Sequence, residues 1–108
     1  MKILKNNQII IADCVVAKSF WNKLLGRFYF KGKPILLSDC NSIHTIFLKE
    51  KLDIFFLNDK NEIIKIRENI PPNCIIFPEK YTKYILETDA GFAKSAKIMI
   101  GDRLDFER

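Results

Sequence analysis

Apolar residues along this chain fall in short runs broken by polar or turn-forming residues, and most runs have the length of strands. Ile9-Ile10-Ile11-Ala12-Asp13-Cys14-Val15-Val16 is β-branched and too short for a helix, which predicts a strand. Lys18 to Arg27 changes period: Phe20 and Leu24, with Trp21 and Leu25, make a helical stripe that Ser19 can cap and Gly26 can stop. Lys31-Gly32-Lys33-Pro34 is a turn signal, followed by a short buried strand at Ile35-Leu36-Leu37. Ile43 to Leu48 and Leu52 to Leu57 carry apolar residues on both parities, as strands covered on both faces do, with Lys49-Glu50-Lys51 between them. A tight connection there would pair the two antiparallel and set Asp53 opposite Phe47.

Asn58-Asp59-Lys60-Asn61 reads as a hairpin loop, and Ile63 to Arg67 returns from it with Ile64 and Ile66 inward. Pro71-Pro72 breaks the chain before strands at Cys74 to Phe77 and Lys83 to Glu87. Asp89 can cap a short helix over Ala90 to Lys97, because its carboxylate suits the unpaired N–H groups of a first turn. Gly101-Asp102 then turns the chain into a last strand ending near Phe106. About seven short strands and two short helices predict a mainly β, β-rich α+β domain, an antiparallel jelly-roll-like sandwich or partly closed barrel. No linker, repeat or low-complexity stretch divides residues 1–108, so a single domain is expected.

Composition narrows the chemistry. The chain is 48% hydrophobic and 29% charged, with nine Phe, which rules out disorder and agrees with sheet. The net charge of +5 comes mostly from dispersed Lys among 13 acidic residues; Arg occurs four times and no basic run forms, which argues against nucleic acid as a partner. No apolar stretch approaches a membrane span. Residues 1–20 lack the uninterrupted apolar centre of a signal peptide, so the chain as given reads as cytoplasmic, with envelope association left open. Cys14, Cys40 and Cys74 are odd in number and far apart, which predicts free thiols.

His44 is the sole histidine. Multi-histidine metal sites are therefore excluded, and the three cysteines have no C-x-x-C spacing with which to make a zinc site. Cys40 and His44 on one extended strand would stand roughly 13 Å apart. No metal or cofactor is expected: no Gly-rich loop opens a helix and no G-x-S-x-G is present. What stands out is the polar run Asn41-Ser42-Ile43-His44-Thr45 between strongly apolar strands. It can be the polar floor of a pocket shared with Asp53 and Glu87, or His44 can be a core histidine bonded to a backbone carbonyl.

The same run carries a resemblance. Cys40-Asn41-Ser42-Ile43-His44-Thr45-Ile46-Phe47-Leu48 with Leu52-Asp53-Ile54-Phe55-Phe56-Leu57 resembles the S-I-H-T-x-x-M … I-D-x-x-F-L core of the domain of unknown function 192 family. Ser19 to Gly26 is similar to its early helix, Tyr84 to Gly91 to its Y-x-L-E-x-x-A-G segment, and Gly101-Asp102-Arg103-Leu104 to its closing G-D-x-L. Leu48 stands where the family has Met, and Lys51 where it has Pro. Another branch of the family has no histidine at the position of His44, which argues against a universal catalytic role for it. The resemblance implies a compact, mainly β, jelly-roll-like bacterial or archaeal protein, often exported and often encoded beside pilus-assembly or secretion genes. It implies no established activity, substrate or cofactor.

The expected role is thus binding of a small ligand or protein partner, in an envelope, secretion or pilus setting. One alternative is a small hydrolase using His44 with Asp53 or Cys40; another is a structural or chaperone-like accessory that binds through a sheet edge. An exposed apolar patch away from His44 would favour a protein partner.

Overall fold

The computed structural model describes residues 1–17, 32–39, 43–45 and 49–108, with the backbone alone at 43 and 44. Ten strands are described: β1 Lys2–Lys5, β2 Gln8–Ile11, β3 Val15–Ala17, β4 Ile35–Ser38, β5 Ile43–His44, β6 Leu52–Leu57, β7 Ile63–Ile70, β8 Ile75–Ile76, β9 Tyr84–Asp89 and β10 Asp105–Glu107. One helical turn, α1 (Phe92–Ser95), separates the last two.

The strands form a five-stranded sheet in the order β3-β4-β9-β6-β7, a three-stranded sheet β10-β1-β2 and a two-stranded ribbon β5-β8. Among the described residues these do not close into a barrel. The fold is mainly β, as expected, but not wholly antiparallel: β3 runs parallel to β4, with Val15 beside Ile35. A parallel neighbour requires a long crossover, for which the sequence between Ala17 and Ile35 has the length. The helix expected over Lys18 to Arg27 lies outside the described residues.

The central sheet is buried on both faces, which is why β6, Leu-Asp-Ile-Phe-Phe-Leu, has no exposed residue. On the first face Leu36, Phe55, Leu57, Ile63 and Leu86 pack with Ile3 and Ile11 of the small sheet and with Ala93, Ile98 and Leu104. On the second face Ile35, Leu37, Ile54, Phe56 and Ile85 pack with Ala17 and with Ile76 of the ribbon. Each fully buried Leu, Ile or Phe contributes about 1.5–3 kcal/mol, so both layers hold the central sheet in place.

Several local expectations are corrected. The run from Ile9 to Val16 is two strands, β2 and β3, and β1 precedes them. Asn6 and Asn7 take positive φ (51° and 64°) between β1 and β2, the left-handed pair that a tight hairpin turn needs. β5 pairs with β8, not with β6; Asp53 lies opposite Thr88 on β9 instead of Phe47. Ile64 and Ile66 are both half-buried but pack on opposite faces of the sheet. A bulge opposite Phe56 and Leu57 shifts the alternation between them. The helix is shorter than Ala90 to Lys97, and its N-cap is Gly91 at φ 96°, with no side-chain cap from Asp89.

Candidate functional site

Thr45 holds the ribbon to the segment that follows β7. Its side chain is fully buried. Oγ1 accepts the Cys74 N–H at 2.8 Å and donates to the Pro71 carbonyl at 2.8 Å. Its backbone N–H donates to Cys74 O at 2.8 Å, and its carbonyl accepts from Asn73 at 3.0 Å. A hydroxyl is both donor and acceptor, so one Thr satisfies two backbone groups where Pro71-Pro72 breaks the ladder. Cys74 and Ile76, next to this knot, pack on the second face of the central sheet.

Asp53 is fully buried and faces the other way. Its neighbours Leu52 and Ile54 belong to the second face, so alternation along β6 turns Asp53 to the first. Oδ1 accepts the Asn69 N–H at 3.0 Å; Oδ2 accepts those of Gly91 and Ala93, each at 3.0 Å. One carboxylate therefore ties the bulged end of β7 to the entry of α1 and satisfies N–H groups that a helix start leaves unpaired. This is the brace expected of Asp89, supplied from β6. It also gives a physical reason for the Leu-Asp and Ala-Gly segments to occur in one chain.

Glu87 is the second buried acid, 2% exposed, opposite Ile35 on one side and Ile54 on the other. Its parity is that of Ile85, so it lies on the second face, among apolar side chains. Asp53 and Glu87 are thus on opposite faces of one sheet, and the expected pocket set is divided between them. Thr45 belongs to the ribbon that, through Ile76, packs on the same face of the sheet as Glu87. The backbone of His44 lies in the same ribbon, paired with Ile75. Asn41, Ser42 and Cys40 lie outside the described residues.

Two further features lie outside the expected pocket. Asp102 accepts the Met99 N–H at 2.7 Å and pairs with Lys5 at 3.1 Å, locking the Gly-Asp turn to β1. Burial raises its carboxyl, but the Met99 N–H and the Lys5 ammonium outweigh this and hold it below the usual carboxylate value. Cys14 is 3% exposed, and burial pushes its thiol up to about 11 despite the nearby chain N-terminus. Cys14 and Cys74 are free thiols. No group of three or more His, Cys, Asp or Glu among the described residues is placed to hold a metal ion. No helix of the described residues is long and apolar enough to cross a membrane.

The family profile DUF192, Uncharacterized ACR, matches residues 30–106. A UPF0127 protein of Pyrococcus furiosus is 27% identical over 115 residues, spanning 100% of this chain and 97% of its own. A UPF0127 protein of Pyrococcus horikoshii is 27% identical over 96 residues, covering 82% of this chain and 83% of its own. A crystal structure of a protein of unknown function from Novosphingobium aromaticivorans superposes with a TM-score of 0.76 at 16% identity. That likeness covers 97% of this chain and 82% of the other, and it concerns the fold.

Proposed function

Because the chain belongs to the DUF192 family, whose description assigns no activity, we propose from its own geometry that it is a binding domain and not a hydrolase. Its ligand site lies on the Glu87 face of the central sheet, beside the ribbon that Thr45 anchors. The observation that carries this is a carboxyl-bearing side chain 2% exposed in the middle of an apolar sheet face. A carboxyl group set on an apolar face matches a ligand that carries an amino or guanidino donor on an apolar body. The hydrolase reading is weaker because both oxygens of Asp53 are taken by backbone N–H groups. The test compares Glu87→Leu and Glu87→Gln with the parent protein in thermal-shift titrations against small amines and guanidines. Glu87→Gln should stay folded, since it keeps the length and much of the hydrogen-bonding capacity of the side chain, and lose the ligand-induced shift. Unfolding of both variants would make Glu87 a structural member of the core and end the proposal.

A second reading, protein docking, has one observation behind it. Met99 and Ile100, 68% and 65% exposed, border an open cleft of about 430 Å³ floored by Ile66, Ala93 and Ile98. Large exposed apolar side chains in a cluster mark interaction surfaces. A Met99→Ser, Ile100→Ser variant that binds the amine panel unchanged but loses a protein partner would separate this reading from the first.

A further inference from the structure

The β6–β7 hairpin loop and the residues that lead into β9 enclose another open cleft, of about 450 Å³, on which none of the functions above draws. We propose that this cleft binds a carbohydrate, stacked on Tyr81 and hydrogen-bonded through Thr82 and the loop.

Three independent observations support it. The first is Tyr81, which is 86% exposed and sits at φ 67°. A bulky aromatic in the left-handed region is rare, because Cβ crowds the following carbonyl, and here no burial of the ring offsets that strain. The position presents a flat apolar face to solvent at the cleft wall. The second is Thr82, whose Oγ1 is shut off from solvent and has no hydrogen-bond partner among the described residues. It lines the same cleft. A buried hydroxyl left unpaired is uncommon and asks for an explanation. A ligand in the cleft that this residue lines would supply the partner its hydroxyl lacks.

The third observation is the preorganised and charge-balanced loop. Asn58 Oδ1 accepts the Lys60 and Glu62 N–H groups at 2.9 Å each, and its Nδ2 donates to Glu62 Oε1 at 3.1 Å. The Lys83 N–H donates to Leu57 O at 2.8 Å and fixes the opposite wall. Little ordering is therefore left to be done on binding. Two acids, Asp59 and Glu62, face two lysines, Lys60 and Lys83, so the lining has no net charge. A phosphate or carboxylate ligand would call for excess cation. A neutral ligand whose hydroxyls both donate and accept suits mixed acids, ammonium groups and a threonine hydroxyl, while the C–H face of a pyranose ring suits Tyr81.

The test is titration of the labelled protein with maltotriose, cellotriose and chitotriose at millimolar concentration, followed by amide NMR shifts, with AMP as a stacking ligand of different chemistry. At least one saccharide should shift the amides of residues 58–62 and 81–83 saturably, while the amides beside Glu87 stay still. Tyr81→Ala should abolish the shifts, Tyr81→Phe should keep them, and Thr82→Val should weaken binding several-fold. Tyr81→Gly should abolish binding and raise the thermal midpoint, because glycine adopts the backbone conformation without strain. Absence of shifts with all three saccharides, shifts that survive Tyr81→Ala, or shifts with AMP alone would each overturn the assignment.

Discussion

Replacing Asp53 by Asn removes one negative charge and little volume, and its consequences follow from the three N–H groups that meet this carboxylate. Asn69, Gly91 and Ala93 each donate to it at 3.0 Å, and the side chain is fully buried. An amide offers one acceptor oxygen, so at least one N–H then faces an NH2 group in a site closed to water. Hydrogen bonds to a charged group contribute about 1.5–3 kcal/mol each. They share one carboxylate and are not additive, so the expected loss is that of a broken buried charged brace, about 3–5 kcal/mol. Against a total of about 5–15 kcal/mol for a domain, this is a large fraction. It corresponds to a fall in Tm of about 15 °C or more at the slope expected for this size. Urea denaturation of Asp53→Asn and Asp53→Ala measures the loss, and hydrogen exchange locates it: the amides of Asn69, Gly91 and Ala93 should lose protection first. A variant within about 1 kcal/mol of the parent, far below the charged-brace range, would refute the bracing role and return Asp53 to consideration as a functional acid.

Asp102→Asn should cost about 1 kcal/mol at neutral pH, since the Lys5 pair is only partly shielded. Because the folded carboxyl lies below its ordinary value, the difference from the parent should be constant from about pH 5 upward. It should shrink as the pH falls through the folded pKa, and a pH series of urea melts checks this. Cys14, with its thiol pushed up to about 11, should resist iodoacetamide at pH 8 in the native protein and react once unfolded, as read by mass spectrometry. Thr45→Val should cost about 1–3 kcal/mol, the usual effect of leaving a buried polar group unsatisfied, because Cys74 N–H and Pro71 O each lose a partner at 2.8 Å. Thermal unfolding measures it, and no loss would show that the ribbon does not depend on this hydroxyl.

By itself the sequence determined the class of fold. Short β-branched and aromatic runs, with turn residues between them, leave few alternatives to a strand-dominated core, and β6 declared its two-sided burial by having apolar residues on both parities. The Asn58 to Asn61 hairpin and the turn at Gly101-Asp102 were legible for the same reason: each is a local rule of backbone chemistry. Tertiary structure alone decided which strands are neighbours, because pairing between β5 and β8, or β3 and β4, joins segments whose separation in sequence leaves no local signal. It also decided the meaning of the acids. Asp53 and Glu87 look alike as buried carboxylates next to apolar runs, and only the register β6 keeps with β9 sends one to the α1 entry and the other to the opposite face. Asp89 lost the capping role to a residue distant in sequence, because a carboxylate already held in the sheet reaches the Gly91 and Ala93 N–H groups without ordering a surface side chain. The cleft beside Tyr81 was likewise invisible beforehand: a positive φ on a tyrosine and a hydroxyl shut from solvent exist only once the chain has closed around them.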